Sequence, residues 1–139
     1  MFPRSTEYAI RALTFLAAQT PGKLSGAREI AQAEHIPMPY LWKILQKLAD
    51  RKLVRSFRGL RGGYRLAKPP ERITVDRVVR EMGQGNILKR CLFGFQNCGR
   101  GNPCPLHPVC GEIREKIGIA LRTTTLAQLS HAGGGSAVS

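Results

Sequence analysis

Acidic residues are scarce in this sequence: 9 Asp and Glu stand against 22 Lys and Arg in 139 residues. The resulting net charge of +13 repels itself unless a polyanion offsets it. Nucleic acid is therefore the first expected partner and an anionic membrane surface the second. Long apolar runs are missing too. None approaches the roughly 18 residues that a membrane-spanning helix needs, which weighs against the membrane. The start Met1-Phe2-Pro3-Arg4 has no signal-peptide apolar core, because a helix-like pattern containing Glu7 and Arg11 follows at once. The expected location is the cytoplasm, where thiols stay reduced. Cys91, Cys98, Cys104 and Cys110 then need an explanation other than disulfides. No internal repeat is present.

A hydrophobic fraction of 42% is ordinary for a folded chain and argues for one domain, or one domain with an appended arm. Ser5 is the expected N-cap of a first helix reaching about Gln19, with Ile10, Leu13, Leu16 and Ala17 at helical spacing. Pro21-Gly22 ends it. A short second helix is expected over Ser25 to Ala33, with Ala27, Ile30 and Ala31 inward. A tight turn at His35-Ile36-Pro37 leads to a third helix with Pro39 at its first position, where a missing N–H costs nothing. Leu41, Ile44, Leu45 and Leu48 give that helix one apolar stripe up to about Asp50.

After Lys52 the period changes. Leu53 to Phe57 and Tyr64 to Ala67 alternate as strands do, around the Gly- and Arg-rich tip Arg58-Gly59-Leu60-Arg61-Gly62-Gly63. Thr74 is the expected cap of a fourth helix, Val75 to Met82. Residues 83 to 109 show no periodicity. One last helix is expected from about Val109 to Leu129, with Ile113, Ile117, Ala120, Leu121 and Thr124 on one side. The fold class expected is mostly α with a small β-hairpin wing: a winged helix-turn-helix plus a long C-terminal helix.

That order suits DNA. The third helix can pack by its stripe while Pro39, Tyr40, Trp42, Lys43, Gln46 and Lys47 face the major groove. Basic runs are most often solvated faces, but this one coincides with the helix and wing. Nine basic residues and one acid lie between Lys43 and Lys68. Arg55, Arg58 and Arg61 are the expected wing contacts, the glycines letting the tip approach the backbone or a narrow minor groove.

The cysteine spacing Cys91-x6-Cys98-x5-Cys104-x2-His107-x2-Cys110 lacks the short Cys-x2-4-Cys pair of structural zinc sites. Its long spacers suit a loop that gains order by wrapping a larger object, and thiolates favour soft metals and iron–sulfur clusters. A zinc site or a thiol-redox switch is the alternative. An enzyme pairing Cys104 as nucleophile with His107 as base is a third reading. It is disfavoured because no oxyanion-hole or phosphate-cradling loop accompanies the pair.

Four segments together resemble the IscR/NsrR/RirA family of winged-helix iron–sulfur regulators over nearly the whole chain. They are Thr6-Glu7-Tyr8-Ala9-Ile10-Arg11-Ala12-Leu13, Ile36 to Leu45, Arg58 to Leu66, and Cys98-x5-Cys104-Pro105-Leu106-His107. The resemblance implies a homodimer formed through the last helix, reading double-stranded DNA with two-fold related half-sites. It implies a [2Fe–2S] or [4Fe–4S] cluster on Cys91, Cys98 and Cys104. The fourth ligand is His107 in an IscR-like pattern, or a partner subunit's acid, here at Glu7, in an NsrR-like one; Cys110 is a thiol that those two patterns lack. Expected divisions are a DNA-binding domain over 1–82, a cluster-binding loop over 83–109, a dimerisation helix over 110–131 and a disordered tail over 132–139. The expected function is transcription regulation, repression above activation, responding to redox state, oxygen, nitric oxide or iron supply, with no membrane and no small-molecule substrate involved.

Overall fold

A computed structural model describes residues 2–95 and 104–131. Cys98 and the expected tail, 132–139, lie outside the described residues. Helices α1 (Arg4–Ala17), α2 (Ala27–Glu34) and α3 (Met38–Asp50) are followed by the hairpin β1 (Val54–Phe57) and β2 (Gly63–Leu66). Then come α4 (Val75–Glu81), α5 (His107–Thr123) and α6 (Leu126–His131). Single 3-10 turns sit at Pro70–Arg72 and Ile87–Lys89. The arrangement is the expected winged helix-turn-helix.

The expected stripes form the core. Ala9, Ala12, Leu13 and Leu16 of α1 pack with Ile30 of α2 and with Leu41, Ile44, Leu45 and Leu48 of α3. Leu53, Val54, Ile73 and Val78 close the core beneath the wing. The hairpin is antiparallel, with Val54 opposite Leu66 and Phe57 opposite Gly63.

Several boundaries differ from expectation, each for a local reason. Pro3, not Ser5, holds the N-cap position of α1, and no side chain caps that end. Ser25 does not begin α2. Its backbone exchanges two hydrogen bonds with Tyr64, at 2.9 and 2.8 Å, and so adds a one-residue third rung to the wing. In α3 the first helical residue is Met38, with Pro39 still in the first turn, where its missing N–H has no helical partner to lose.

The expected single last helix is two helices. At Thr124 the backbone is extended (φ −96°, ψ 129°). The Thr124 carbonyl accepts from Val75 N at 2.9 Å, and Leu126 N donates to Ile73 O at 2.9 Å. Thr125 and Gln128 then restart the helix reciprocally. Thr125 N donates to Gln128 Oε1 (2.8 Å), and Gln128 N donates to Thr125 Oγ1 (3.2 Å). This capping box satisfies two N–H groups that a fresh helix start would leave orphaned. Leu126 and Ala127 are buried, and α6 packs back onto α1.

Thr74 caps α4 as expected, its Oγ1 accepting from Arg77 N at 3.1 Å. Thr74→Ala removes that partner and is expected to lower stability by about 1 kcal/mol. Equilibrium urea unfolding checks this. An unchanged midpoint would mean that the extended Thr74–Thr125 pairing, not the side chain, starts the helix.

Candidate DNA interface and cysteine loop

One face of α3 is sealed and the other is open. Leu41, Ile44, Leu45 and Leu48 are buried, whereas Pro39, Tyr40, Trp42, Lys43, Gln46 and Lys47 are exposed. Trp42 could have been a packing residue, yet 58% of it is accessible, and Tyr40 beside it is 60% accessible. Lys47 is partly committed: its Nζ donates to Met82 O at 3.5 Å, which ties α3 to the end of α4.

The wing projects cations from a stiff base. Arg58 and Arg61 are exposed at the tip and take part in no ion pair among the described residues. Gly59 has φ +106°, a conformation that glycine adopts at no steric cost, and Gly62 N donates to Gly59 O at 3.0 Å. A Cβ on Gly62 would overlap the Phe57 carbonyl, so the tip is built for glycine there. Arg55 sits directly across from Arg65. Like charges so placed repel across the strands, and Arg65 instead lies over the Phe57 ring at 5.0 Å.

Behind α3 is a feature that periodicity does not show. Glu34, the last residue of α2, has a fully buried side chain facing Arg11 Nε of α1 at 3.6 Å. Neither Glu34 oxygen has a hydrogen-bond donor among the described residues. Burial pushes the Glu34 carboxyl above its ordinary value, and the Arg11 charge offsets this only in part.

The cysteine loop starts just after the Ile87–Lys89 turn. The Sγ of Cys91 accepts from Phe93 N at 3.4 Å, and its carbonyl accepts from Gly94 N at 3.0 Å. Cys104 carries a half-buried side chain, and its carbonyl accepts from His107 N, the first residue of α5, at 3.0 Å. Cys110 lies in the first turn of α5, with its N–H on Leu106 O at 2.8 Å. None of these three cysteines is in a disulfide.

Cys91 and Cys110 line one cavity of about 540 Å³, together with Phe2, Leu88, Arg90 and Arg114. Cys104 and His107 are not among its lining residues. Glu7 stands on the exposed side of α1, 3.9 Å from Arg4. Among the described residues no three His, Cys, Asp or Glu side chains gather as a metal site, and the expected ligand Cys98 is outside that set. Arg90 and Arg114, two cations beside two thiols, were not singled out from the sequence. Nothing in their spacing marks them until the chain folds.

The family model of Rrf2, described as an iron-dependent transcriptional regulator, matches residues 2–132. The chain belongs to the Rrf2 family. It is 36% identical over 106 residues to the HTH-type transcriptional regulator NsrR of Bacillus subtilis, covering 76% of this chain and 69% of that protein. NsrR of Geobacillus kaustophilus is 38% identical over 105 residues, covering 76% and 68%. Among solved structures, CymR (YrzC), the global cysteine regulator of B. subtilis, superposes with a TM-score of 0.77 at 25% identity, covering 95% of this chain and 97% of that one. IscR of T. potens gives 0.73 at 23% identity over 96% and 88%, a likeness of fold. This Rrf2 chain is accordingly a DNA-binding transcription regulator and not an enzyme. No described helix is long and apolar enough to cross a membrane.

Proposed function

We propose that this Rrf2 chain is a cytoplasmic repressor, a homodimer that grips two-fold related DNA half-sites and whose affinity is set by an iron–sulfur cluster in the cysteine loop. In this reading Pro39, Tyr40, Trp42, Lys43, Gln46 and Lys47 face the major groove. Arg55, Arg58 and Arg61 meet phosphates along the edges of the neighbouring minor groove. Residues 83–109 form the cluster loop, and α5 is the dimerisation arm. Val109, Ile113 and Ile119 leave about half their surface in water on a single chain, as a helix awaiting a partner does.

The observation that carries the cluster half is the cavity shared by Cys91 and Cys110. Distant in sequence, they line the same cavity because α5 packs beside the Ile87–Lys89 turn. The cavity's chemistry fits the group. Thiolate-ligated clusters are anionic, and Arg90 and Arg114 supply positive charge, while the Phe93 N–H on Cys91 Sγ is the kind of contact that stabilises a ligating sulfur. Because Cys110 shares that cavity with Cys91, we take it ahead of His107 and Glu7 as the fourth ligand; Cys104, which does not line the cavity, would have to join from the loop end beside α5. Such a cluster would supply a centre that responds to redox state, oxygen, nitric oxide or iron supply. The chain's own part is to hold the loop against α5, and so to set the spacing of two recognition helices that must match half-sites about one DNA turn apart.

Anaerobic purification tests the reading. The protein is expected to be brown, with iron and acid-labile sulfide. Cys110→Ala is expected to lose or shift the visible absorption, and His107→Ala and Glu7→Ala to keep it. A colourless protein holding stoichiometric zinc would sink the cluster and leave a zinc-stabilised loop.

A further inference from the structure

We infer that Arg114 is the positioning residue that clasps the two ends of the cysteine loop and joins them to α5. Its guanidinium makes two hydrogen bonds to backbone carbonyls that are far apart in sequence. Nε donates to Cys110 O at 3.2 Å, and Nη1 donates to Arg90 O at 2.8 Å. Arg90 immediately precedes Cys91, so one side chain grips the backbone beside each of the two thiols that share the cavity. Arg114 also lines that cavity.

The geometry calls for arginine. Its planar fork fixes two donors at a set angle, whereas a lysine ammonium is a single point on a flexible stem. Closing the chain from Arg90 to Cys110 costs loop entropy, and a clasp meets that cost before any ligand arrives, raising the effective concentration of one thiol at the other. The clasp has a second consequence. Arg114 is on α5, so whatever moves Cys91 pulls on the first turns of that helix. Neither Arg90 nor Arg114 has an acidic partner within ion-pair distance among the described residues, so no carboxylate competes for the Arg114 guanidinium.

This inference rests on the cluster reading for its regulatory meaning but not for its first test. The first measurement uses metal-free, reduced full-length protein carrying Cys98→Ser and Cys104→Ser, treated with dibromobimane, which fluoresces when it bridges two thiols. Peptide mapping confirms the Cys91–Cys110 bridge. In Arg114→Ala the bridging yield is expected to fall roughly tenfold, the weight of one charge-assisted hydrogen bond. Labelling by a monofunctional maleimide and the thermal midpoint should stay near their parent values. Arg114→Lys is expected to fall similarly. An unchanged yield in Arg114→Ala, or full restoration by lysine, would overturn the clasp.

The second measurement uses the cluster-loaded protein with its four cysteines intact. The ratio of DNA affinities with and without the cluster is expected to shrink toward one in Arg114→Ala, with iron content retained. A retained ratio would overturn the coupling. If the wild-type protein carries no cluster, the function proposed above fails on its own, and the bridging yield still decides the clasp.

Discussion

Arg11→Met is expected to cost about 3 kcal/mol of stability at neutral pH, because it leaves the Glu34 carboxylate buried without a countercharge. The figure is at the low end for broken buried pairs, since the Arg11 side chain is 31% accessible and water can partly replace it. The pair spans α1 and α2, so its loss loosens the support of α3. Acid should narrow the deficit. Burial raises the folded-state pKa of Glu34 above its ordinary 4.5, so on acidification the folded protein takes up this proton before the unfolded chain does. Stability therefore rises as pH falls through the raised value toward 4.5, and the contribution is fully present below it. The gain is larger in Arg11→Met, where the main offset to burial is gone and only the weaker influence of His35 remains. Urea unfolding of both proteins at pH 7 and pH 5 checks this, and an equal deficit at the two values would refute the account. Replacing both partners, Arg11→Met with Glu34→Leu, is expected to recover most of the loss, as apolar replacement of buried pairs often does.

Removing both wing-tip arginines, Arg58→Ala with Arg61→Ala, should weaken DNA binding by on the order of 10³-fold at about 0.15 M salt. The estimate follows from counterion release. Two arginines on each of two subunits make about four phosphate contacts, each contributing roughly 0.9 to the slope of log affinity against log salt. The slope should thus become shallower by between about 3 and 4, and the deficit should nearly vanish as salt approaches about 1 M. Stability should hardly change, since neither side chain is buried or ion-paired among the described residues. Fluorescence anisotropy across a salt series separates the outcomes. A uniform loss with an unchanged slope would mean that the arginines do not reach phosphate.

Most of the DNA-reading unit is legible in the sequence because its determinants are local. The stripe Leu41, Ile44, Leu45, Leu48 sets which side of α3 is open, and the Gly- and Arg-rich run marks the wing tip. Thr74 announces its own helix. What escapes is of two kinds. The break at Thr124 is written in the sequence as Thr125-x-x-Gln128, but apolar spacing on both sides reads as one continuous helix, and only the pairing with Ile73 and Val75 decides the matter. The Arg11–Glu34 pair, the Ser25 rung on the wing and the cavity that Cys91 shares with Cys110 join residues far apart along the chain, which no periodicity reports. Spacing alone ranks His107 beside Cys104; that Cys110 and Cys91 line one cavity is a property of the fold.

The return of α6 onto α1 makes the DNA-reading head discontinuous. It is assembled from the first stretch of the chain and from the last eight described residues, 124–131, with the cysteine loop and α5 inserted between them. Cutting after residue 82 would therefore not isolate a complete head, since it strips the cover from Ile73 and the inner face of α1. The insertion is also anchored at both ends to the head, by α4 on one side and the Thr124–Leu126 strap on the other. An arm tethered at two points has fewer ways to move than one on a single linker, and each tether is a place where its movement would reach the head.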